Sequence, residues 1–486
     1  MKPSVLREIL LYKYRYQTGI AIFIVVLVGL LFLRLDMAPT GVSQIEMSSA
    51  VASATFKPVY PITSSLVDLP YKLLQKASLS LFGITEVSII APSLLLGAVT
   101  GVAFLMMVRR WFRTNVALIT SMIFVSSAAF LTVARTGTPI IMTTFWLSII
   151  LLAVTNILHP EGRSKLWAVV LLVALPLSLY TPLMIYPLLA IAIAGILHPH
   201  VRFMARRMAA WKYITAALAV IVLLLPLGLW LFANPSGIRD LTGVPAVVPD
   251  GNVLLFNFKV IAKSFFSIGT AIVGTIPQPI FGATSLIIIT LGFFKTIADR
   301  HSARSYMLLI WTGLFIPVVL LNPDKILICL VPAYLFMAIG VETLIREWYK
   351  LFPLNPYARI AGLVPLVVLL GGIMLSNGAQ YFYGHFYGTP NVAYKQQLRV
   401  TREVLETTKA ETKVYILPTS QEVAFYDLLR RDYPNVTIHN SLSEKPVGTV
   451  VVHYGASYSP DILGYPNRIE ASYSSQPDAV IARIFR

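Results

Sequence analysis

The chain has 486 residues, of which 56% are hydrophobic and 13% charged, with 39 Lys and Arg against 22 Asp and Glu. Soluble domains carry about 25% charged residues, so composition excludes an ordinary soluble protein and points to the membrane. The net charge of +17 invites a nucleic-acid reading, but the basic residues sort into alternate loops rather than onto one soluble face.

Crossing the hydrocarbon core takes roughly 17 to 25 predominantly apolar residues. About eleven segments approach this: 18–33, 88–108, 115–133, 139–157, 166–181, 183–197, 213–233, 281–298, 305–321, 326–345 and 360–376. Several are short. The 166–197 stretch, broken by Pro176, Pro182 and Pro187, reads as a helical hairpin or as one bent, partly re-entrant element. With the N-terminus inside, alternate loops hold Arg7, Lys13, Arg109, Arg110, Arg113, Arg206, Arg207, Arg300, Arg346 and their neighbours, while the longer opposite loops are poor in basic residues. This positive-inside bias predicts a cytoplasmic N-terminus and an extracytoplasmic C-terminal tail in a multi-pass plasma-membrane protein. No cleavable signal is evident, so the first segment reads as a retained anchor. The single cysteine, Cys329, excludes disulfides within the chain.

The first outer loop, about Arg34 to Val87, opens on Gly41-Val42-Ser43-Gln44-Ile45-Glu46-Met47-Ser48, a stretch with one acid. An acid just outside the first span is a candidate general base, which makes Glu46 the leading residue. Further on, Leu69, Leu73, Ala77 and Leu81 recur at steps of four with Lys72 and Lys76 offset by one, the pattern of an interfacial amphipathic helix. Asp68 stands four residues before Lys72, and a local ion pair is the favoured reading for it. The second outer loop, 234–282, is too long for a plain connector and is expected to carry its own helix. From Asn377 charges return. Strands are expected at 413–417, 436–439, 448–454 and 479–485, with a helix over Ser420 to Arg431 capped by Ser420. These make a small α/β domain over 377–486, after a transmembrane domain over 1–376.

Transfer of a group from a lipid phosphate at a membrane boundary needs a carboxylate, cations for the leaving phosphate and an apolar groove. Arg135, in the short turn Val133-Ala134-Arg135-Thr136-Gly137-Thr138-Pro139, and Lys325, in Asn322-Pro323-Asp324-Lys325, are the leading cations. Lys57, Lys72 and Arg239 are further candidates on the same side. Arg135 can also snorkel to headgroups, and Lys325 can pair locally with Asp324.

The order of these parts resembles the GT-C superfamily of polyprenol-phosphate-dependent glycosyltransferases, in its protein O-mannosyltransferase and aminoarabinose-transferase branch. Val59-Tyr60-Pro61 and Leu79-Ser80-Leu81-Phe82-Gly83 resemble that family's landmarks ahead of the second span. Arg109-Arg110-Trp111-Phe112, the 134–139 turn, Asn322-Pro323-Asp324-Lys325 before Leu330-Val331-Pro332-Ala333-Tyr334, and the aromatic run Tyr381 to Tyr387 resemble the turns that follow. The resemblance covers most of residues 1–400. It implies an all-α polytopic membrane protein of about 11 transmembrane helices with a GT-C-like core and a small C-terminal α/β extracytoplasmic domain. It also implies a membrane glycosyltransferase moving a sugar from a polyprenyl-phosphate donor to a glycan, lipid or protein acceptor on the outer face. Membrane lipids are expected partners and nucleic acid is not; a divalent metal has no support in the sequence.

The chain departs from the family at its acidic pair, which falls on Ile45-Glu46. Either Glu46 takes over the role of the base, or Asp36 or Asp68 supplies it, or the protein is inactive. On the first alternative Glu46→Gln abolishes transfer and leaves the fold intact. A transporter or flippase is the alternative from another class, and an inactive GT-C-like scaffold the third; spans nearly free of ionisable groups favour surface chemistry over transport.

Overall fold

The computed structural model describes residues 14–35, 41–57, 64–158, 164–206, 210–247, 249–266, 271–273, 276–299, 302–351, 356–386, 394–409, 412–439, 448–453, 456, 468–473 and 476–485. Asp36, Val59, Tyr60, Pro61 and Tyr387 lie outside these residues. Each of the eleven apolar segments coincides with helix. Among the described residues, seven helices are long and apolar enough to cross a membrane: Arg15–Phe32, Glu86–Trp111, Ile141–Leu158, Tyr213–Ala233, Ala303–Leu321, Pro323–Lys350 and Val364–His385. An eighth is a pair, Thr114–Ser126 and Ala128–Arg135, bent by 60° at Ser127. Ser127 caps the second half by accepting from the Phe130 amide at 3.2 Å. The remaining three are the shorter helices Lys165–Ser178, Ile185–Leu197 and Ala283–Ala298.

The proline-broken stretch resolves into two helices joined at residues 179–184. Pro176 lies within the first, and Leu183 in the joint takes φ +66°. Around the bundle axis the core is aromatic. Phe124 stacks on Phe104 with centroids 4.2 Å apart and meets Tyr334 edge-on at 5.2 Å. Helices Ala283–Ala298 and Leu330–Leu351 touch backbone to backbone. A Cβ on Gly292 would lie 1.8 Å from the Phe336 carbonyl oxygen, and one on Gly340 would lie 2.3 Å from that of Ile288. Only glycine allows that approach, the means by which membrane helices gain packing without a hydrophobic drive.

Helix Leu69–Phe82 forms where the spacing predicts it, with Pro70 in its first turn. It buries Tyr71, Gln75, Ser78 and Leu79 against the bundle and leaves Leu73, Leu81 and Phe82 exposed. The apolar stripe thus faces outward and the protein-facing side is the polar one, as suits a helix between protein and lipid. The second long loop carries the helix Gly251–Phe266.

The C-terminal residues form a five-stranded sheet. Val414–Leu417 lies in parallel between Val436–Ile438 and Thr449–His453, and Gln476–Phe485 and Arg468–Tyr473 extend it antiparallel. The strand at 468–473 is absent from the sequence reading. The helix expected from Ser420 is shorter: Val423–Asp427 continues as a 3-10 turn to Arg431, with Glu422 rather than Ser420 at its start. This domain sits on the same end of the bundle as the first loop. Val42 and Ser43 pair antiparallel with Lys395 and Tyr394, and the Ile84 amide donates to the Asp432 carboxylate at 2.9 Å.

Candidate active site

Six short segments meet at the loop-bearing end of the bundle: the helix Gln44–Ala54, the start of helix Leu69–Phe82, and the turns at 139, 182, 239–243 and 322–325. Between them lies an open cavity of about 800 Å³, lined by Ile45, Ser48, Ser49, Asp68, Tyr71, Lys72, Arg239, Asp240, Asn322 and Lys325 among others. A chamber of about 570 Å³ adjoins it, sharing Ile45, Asp68, Pro139, Pro182 and Lys325 and reaching down to Leu327 and Ile328. At Thr181 it meets an apolar groove of about 300 Å³ walled by Leu179, Ile185, Leu224, Leu227, Leu231 and Leu241.

Three carboxylates line this space; Asp240 and Asp324 are exposed, and Asp68 is the half-buried one. It precedes helix Leu69–Phe82 with φ +58° and makes no side-chain cap. Its own amide donates to the Tyr180 carbonyl at 2.8 Å, and its carbonyl accepts from Lys72 N at 3.0 Å, so the backbone is held from both sides. A left-handed Asp costs about 1–2 kcal/mol, and such strain concentrates at working sites. Oδ1 is closed off from solvent and has no hydrogen-bond partner. Desolvation pushes the carboxyl up to about 7, against the opposite pull of Lys72 and Lys325. The expected local ion pair is replaced: the Lys72 ammonium donates to the Ser65 carbonyl at 2.8 Å and acts on Asp68 only through the field. Burial lowers the Lys72 amine from its usual value, and the Asp68 charge partly offsets this. Lys325 and Arg239 are exposed at the cavity rim.

Glu46 is elsewhere. It is fully buried and is not among the residues lining the cavity. Oε2 accepts the Ser43 amide at 2.7 Å, and the Glu46 amide donates back to Ser43 Oγ at 3.3 Å. This is the reciprocal capping box that starts helix Gln44–Ala54. Oε1 accepts the Gly137 amide at 2.6 Å. Desolvation raises the Glu46 carboxyl above the usual range even though these amides favour its charge. Both oxygens are thus committed to backbone, and the adjacent Ile45, half exposed at 51%, points into the cavity instead.

Arg135 is likewise turned away from the cavity. Fully buried, it donates to the carbonyls of Leu30 and Leu33 at 2.9 Å and of Arg34 at 3.2 Å, capping the C-terminal end of the first span. Its guanidinium also lies over the rings of Tyr381 and Phe382, 5.4 and 5.3 Å from their centroids. Tyr381, read from sequence as an interface aromatic, is therefore buried packing at 1% exposure. The 134–139 turn is a structural junction. Gly137 accepts Gln75 Nε2 at 3.0 Å, and a Cβ on it would lie 2.8 Å from the Ile89 carbonyl oxygen. Lys57 is exposed and does not line the cavity. The structure thus brings together Asp68, Lys72, Arg239 and Lys325, and separates them from Glu46, Arg135 and Lys57. Asp240 joins the lining without having been singled out, and Asn322 and Asp324, read from sequence only as part of the Lys325 turn, join it too. Asp240 and Asp324 sit next to named cations in sequence, the only signal they offer. No group of three or more His, Cys, Asp or Glu suited to a metal ion occurs among the described residues.

Against known proteins, residues 69–230 match the family model described as dolichyl-phosphate-mannose-protein mannosyltransferase, about a third of the chain. No curated protein matches the chain by sequence. By fold it is similar to ArnT from Cupriavidus metallidurans bound to undecaprenyl phosphate, with a TM-score of 0.59 and 12% identity over 96% of this chain and 98% of that one. The apo form of the same protein gives 0.53, again at 12% identity, over 97% of this chain and 98% of that one. An Archaeoglobus fulgidus oligosaccharyltransferase tethered to an acceptor peptide gives 0.53 at 13% identity, over 88% of this chain and 64% of that one. The chain thus shares its fold with these solved structures, and residues 69–230 match that family model. It is a multi-pass membrane protein of mainly apolar helices with a small C-terminal sheet.

Proposed function

We propose that this chain is a glycosyltransferase that moves a sugar from a polyprenyl-phosphate donor to an acceptor hydroxyl, with Asp68 rather than Glu46 as general base. The observation that carries the reading is the unpartnered carboxyl of Asp68, inside a cavity that also holds Lys72, Arg239 and Lys325. A base poised near neutrality suits general base catalysis, and Asp68 is raised to about 7. In the proposed inverting step the acceptor oxygen attacks the anomeric carbon and its proton passes to Asp68. The bond from that carbon to the phosphate oxygen breaks, and the departing phosphate keeps the electron pair. Lys72, Lys325 and Arg239 offset the charge that develops there. The apolar groove meeting the chamber at Thr181 supports a prenyl chain lying among Leu224, Leu227 and Leu231. ArnT bound to undecaprenyl phosphate and the oligosaccharyltransferase tethered to an acceptor peptide, both similar in fold, support the same donor and acceptor chemistry. The charge asymmetry of the loops supports an extracytoplasmic site with the N-terminus inside.

The test is release of polyprenyl phosphate from a panel of radiolabelled polyprenyl-phosphate sugars, using purified protein in nanodiscs. Release that needs the acceptor and is lost in Asp68→Asn supports the reading. No release from any donor by folded protein overturns it and returns weight to transport or scaffolding.

A further inference from the structure

Helix Gly251–Phe266 takes no part in the proposed reaction: none of its residues lines the Asp68 cavity, the adjoining chamber or the apolar groove. Two hydrogen bonds fix its height on the bundle. Asn257 Nδ2 donates to the Leu320 carbonyl at 2.9 Å, in the last turn of span Ala303–Leu321. The Ser264 carbonyl accepts the Ile280 amide at 2.9 Å, just before helix Ala283–Ala298 begins. Both anchors are loop-bearing ends of bundle helices. A helix standing upright along the bundle would separate them in depth by seven residues, about 10 Å. Tied to both, the helix lies across those ends, along the boundary where hydrocarbon gives way to headgroups.

Asn257 and Ser264 are buried on the bundle side. The other side is exposed and mixes two chemistries. Leu255, Phe256, Phe258 and Phe266 are each more than half exposed, and Lys259 and Lys263 stand among them, exposed as well. At about 100° per residue the two lysines lie about 40° apart, with Leu255 and Phe266 on one flank and Phe256 on the other. The helix holds no Asp or Glu. The nearest acid along the chain, Asp250, precedes the first turn, about 13 Å along the axis from Lys259. Neither lysine has a hydrogen bond or ion pair among the described residues. Helix Leu69–Phe82, at the same end of the bundle, provides the contrast. Its exposed residues, Leu73, Leu74, Ala77, Ser80, Leu81 and Phe82, carry no charge. Its lysines fold back onto protein, Lys72 donating to the Ser65 carbonyl and Lys76 to that of Phe56. Only Gly251–Phe266 turns unpaired ammonium groups outward from an apolar strip.

A surface that matches this strip is apolar below and net negative at the level of the ammonium groups. We propose that helix Gly251–Phe266 is a docking surface for anionic phospholipid of the surrounding bilayer. Lys259 and Lys263 snorkel to the phosphodiesters, and Leu255, Phe256 and Phe266 enter the acyl layer. A choline headgroup carries its own cation beside the phosphate and offsets the attraction, whereas a glycerol headgroup does not. The surface stands independently of the Asp68 chemistry.

The test uses the full-length chain with a photoreactive benzophenone side chain placed at Phe256, in nanodiscs of equimolar phosphatidylglycerol and phosphatidylcholine with matched acyl chains. After irradiation the lipid adducts are identified by mass spectrometry, so the readout is local to this helix and blind to basic residues elsewhere. One lysine near a charged bilayer surface is worth about fivefold, so the glycerol lipid should exceed the choline lipid among the adducts by about fivefold or more. Lys259→Gln combined with Lys263→Gln should bring the ratio to about one, with an unfolding midpoint that shows the variant folded. Lys57→Gln, which removes an exposed charge off this helix, should leave the ratio as it is. A ratio near one in the starting protein, or an unchanged ratio in the double variant, overturns the proposal. Loss of the enrichment to soluble glycerol phosphate equimolar with the lipid overturns it in favour of a soluble anion, and adducts to a second copy of the chain in place of lipid overturn it in favour of self-association.

Discussion

Asp68→Asn separates a catalytic carboxylate from a structural one because its two effects have opposite sign. Asn is isosteric and tolerates the left-handed backbone at φ +58°, so the helix start should survive. The folded carboxyl titrates near 7 against an ordinary value of 3.8. Between about pH 4 and 7 the folded chain therefore binds more protons than the unfolded one, and stability falls as pH rises through that window. Three units correspond to a ceiling of about 4 kcal/mol at 1.36 kcal/mol per unit. Water at the open cavity mouth and local relaxation cut that to about 1–2 kcal/mol. The Asn variant escapes this cost: its unfolding midpoint should match wild type near pH 4 and exceed it at pH 8. Turnover should fall by about 10²–10⁴-fold, the usual worth of a general base. Wild-type turnover should rise through pH 7 as Asp68 loses its proton, a rise the variant lacks. The assays are thermal unfolding in detergent from pH 4 to 8 and polyprenyl-phosphate release over the same range. Wild-type turnover in Asp68→Asn would remove this residue from the chemistry, and a variant less stable at pH 8 would refute the desolvation argument.

Glu46→Gln should act on stability rather than on the chemical step. The amide offers one acceptor oxygen where two backbone N–H groups, from Ser43 and Gly137, now find one each. Leaving one unsatisfied costs about 1–3 kcal/mol, read as a lower unfolding midpoint with turnover per folded molecule retained. Arg135→Ala strips three carbonyls at the end of the first span of their donor. It should lower the yield of folded protein, by at least the about 1.5–3 kcal/mol of one charged hydrogen bond, without a selective change in donor KM. Lys325→Ala, at an exposed rim position, should leave the unfolding midpoint within about 0.5 kcal/mol of wild type and raise donor KM or lower kcat by about tenfold or more. Gly292→Ala should disrupt the bundle outright, since its Cβ would overlap the Phe336 carbonyl; detergent size-exclusion of the expressed variant reads the result.

The bundle was legible because span length and apolarity are one-dimensional signals. All eleven segments coincide with helices, and the parallel strands at 414–417, 436–438 and 449–453 fall within a residue or so of their expected places. The strand at 468–473 was not legible: it runs Arg-Ile-Glu-Ala-Ser-Tyr and pairs only as the edge partner of Gln476–Phe485. An edge strand owes its state to its neighbour rather than to its own pattern. The Ser420 cap failed for a related reason. Glu422 is drawn into the domain by Lys395 and lies beside His453, and that tertiary contact sets where the helix begins.

The site was half legible, and the reason is orientation. Sequence places Ile45 and Glu46 one residue apart on a helix, which sends their side chains about 100° apart around the axis. The register is fixed by the Ser43–Glu46 capping box, so whichever acid closes that box faces the protein and its predecessor faces the cavity. A lone acid in an uncharged loop looks catalytic from the sequence, while its capping geometry makes it a bracket between the first loop and Gly137. With Ile45 filling the cavity-facing position, the carboxylate there must come from another segment. Asp68 arrives through a left-handed residue pinned by the Tyr180 carbonyl, a turn that no periodicity encodes. Its spacing to Lys72 suggested a plain helical pair. Because Lys72 bonds to Ser65 instead, the carboxyl of this cavity-lining residue is left without a neutralising contact, and that is the feature on which its proposed role as base rests.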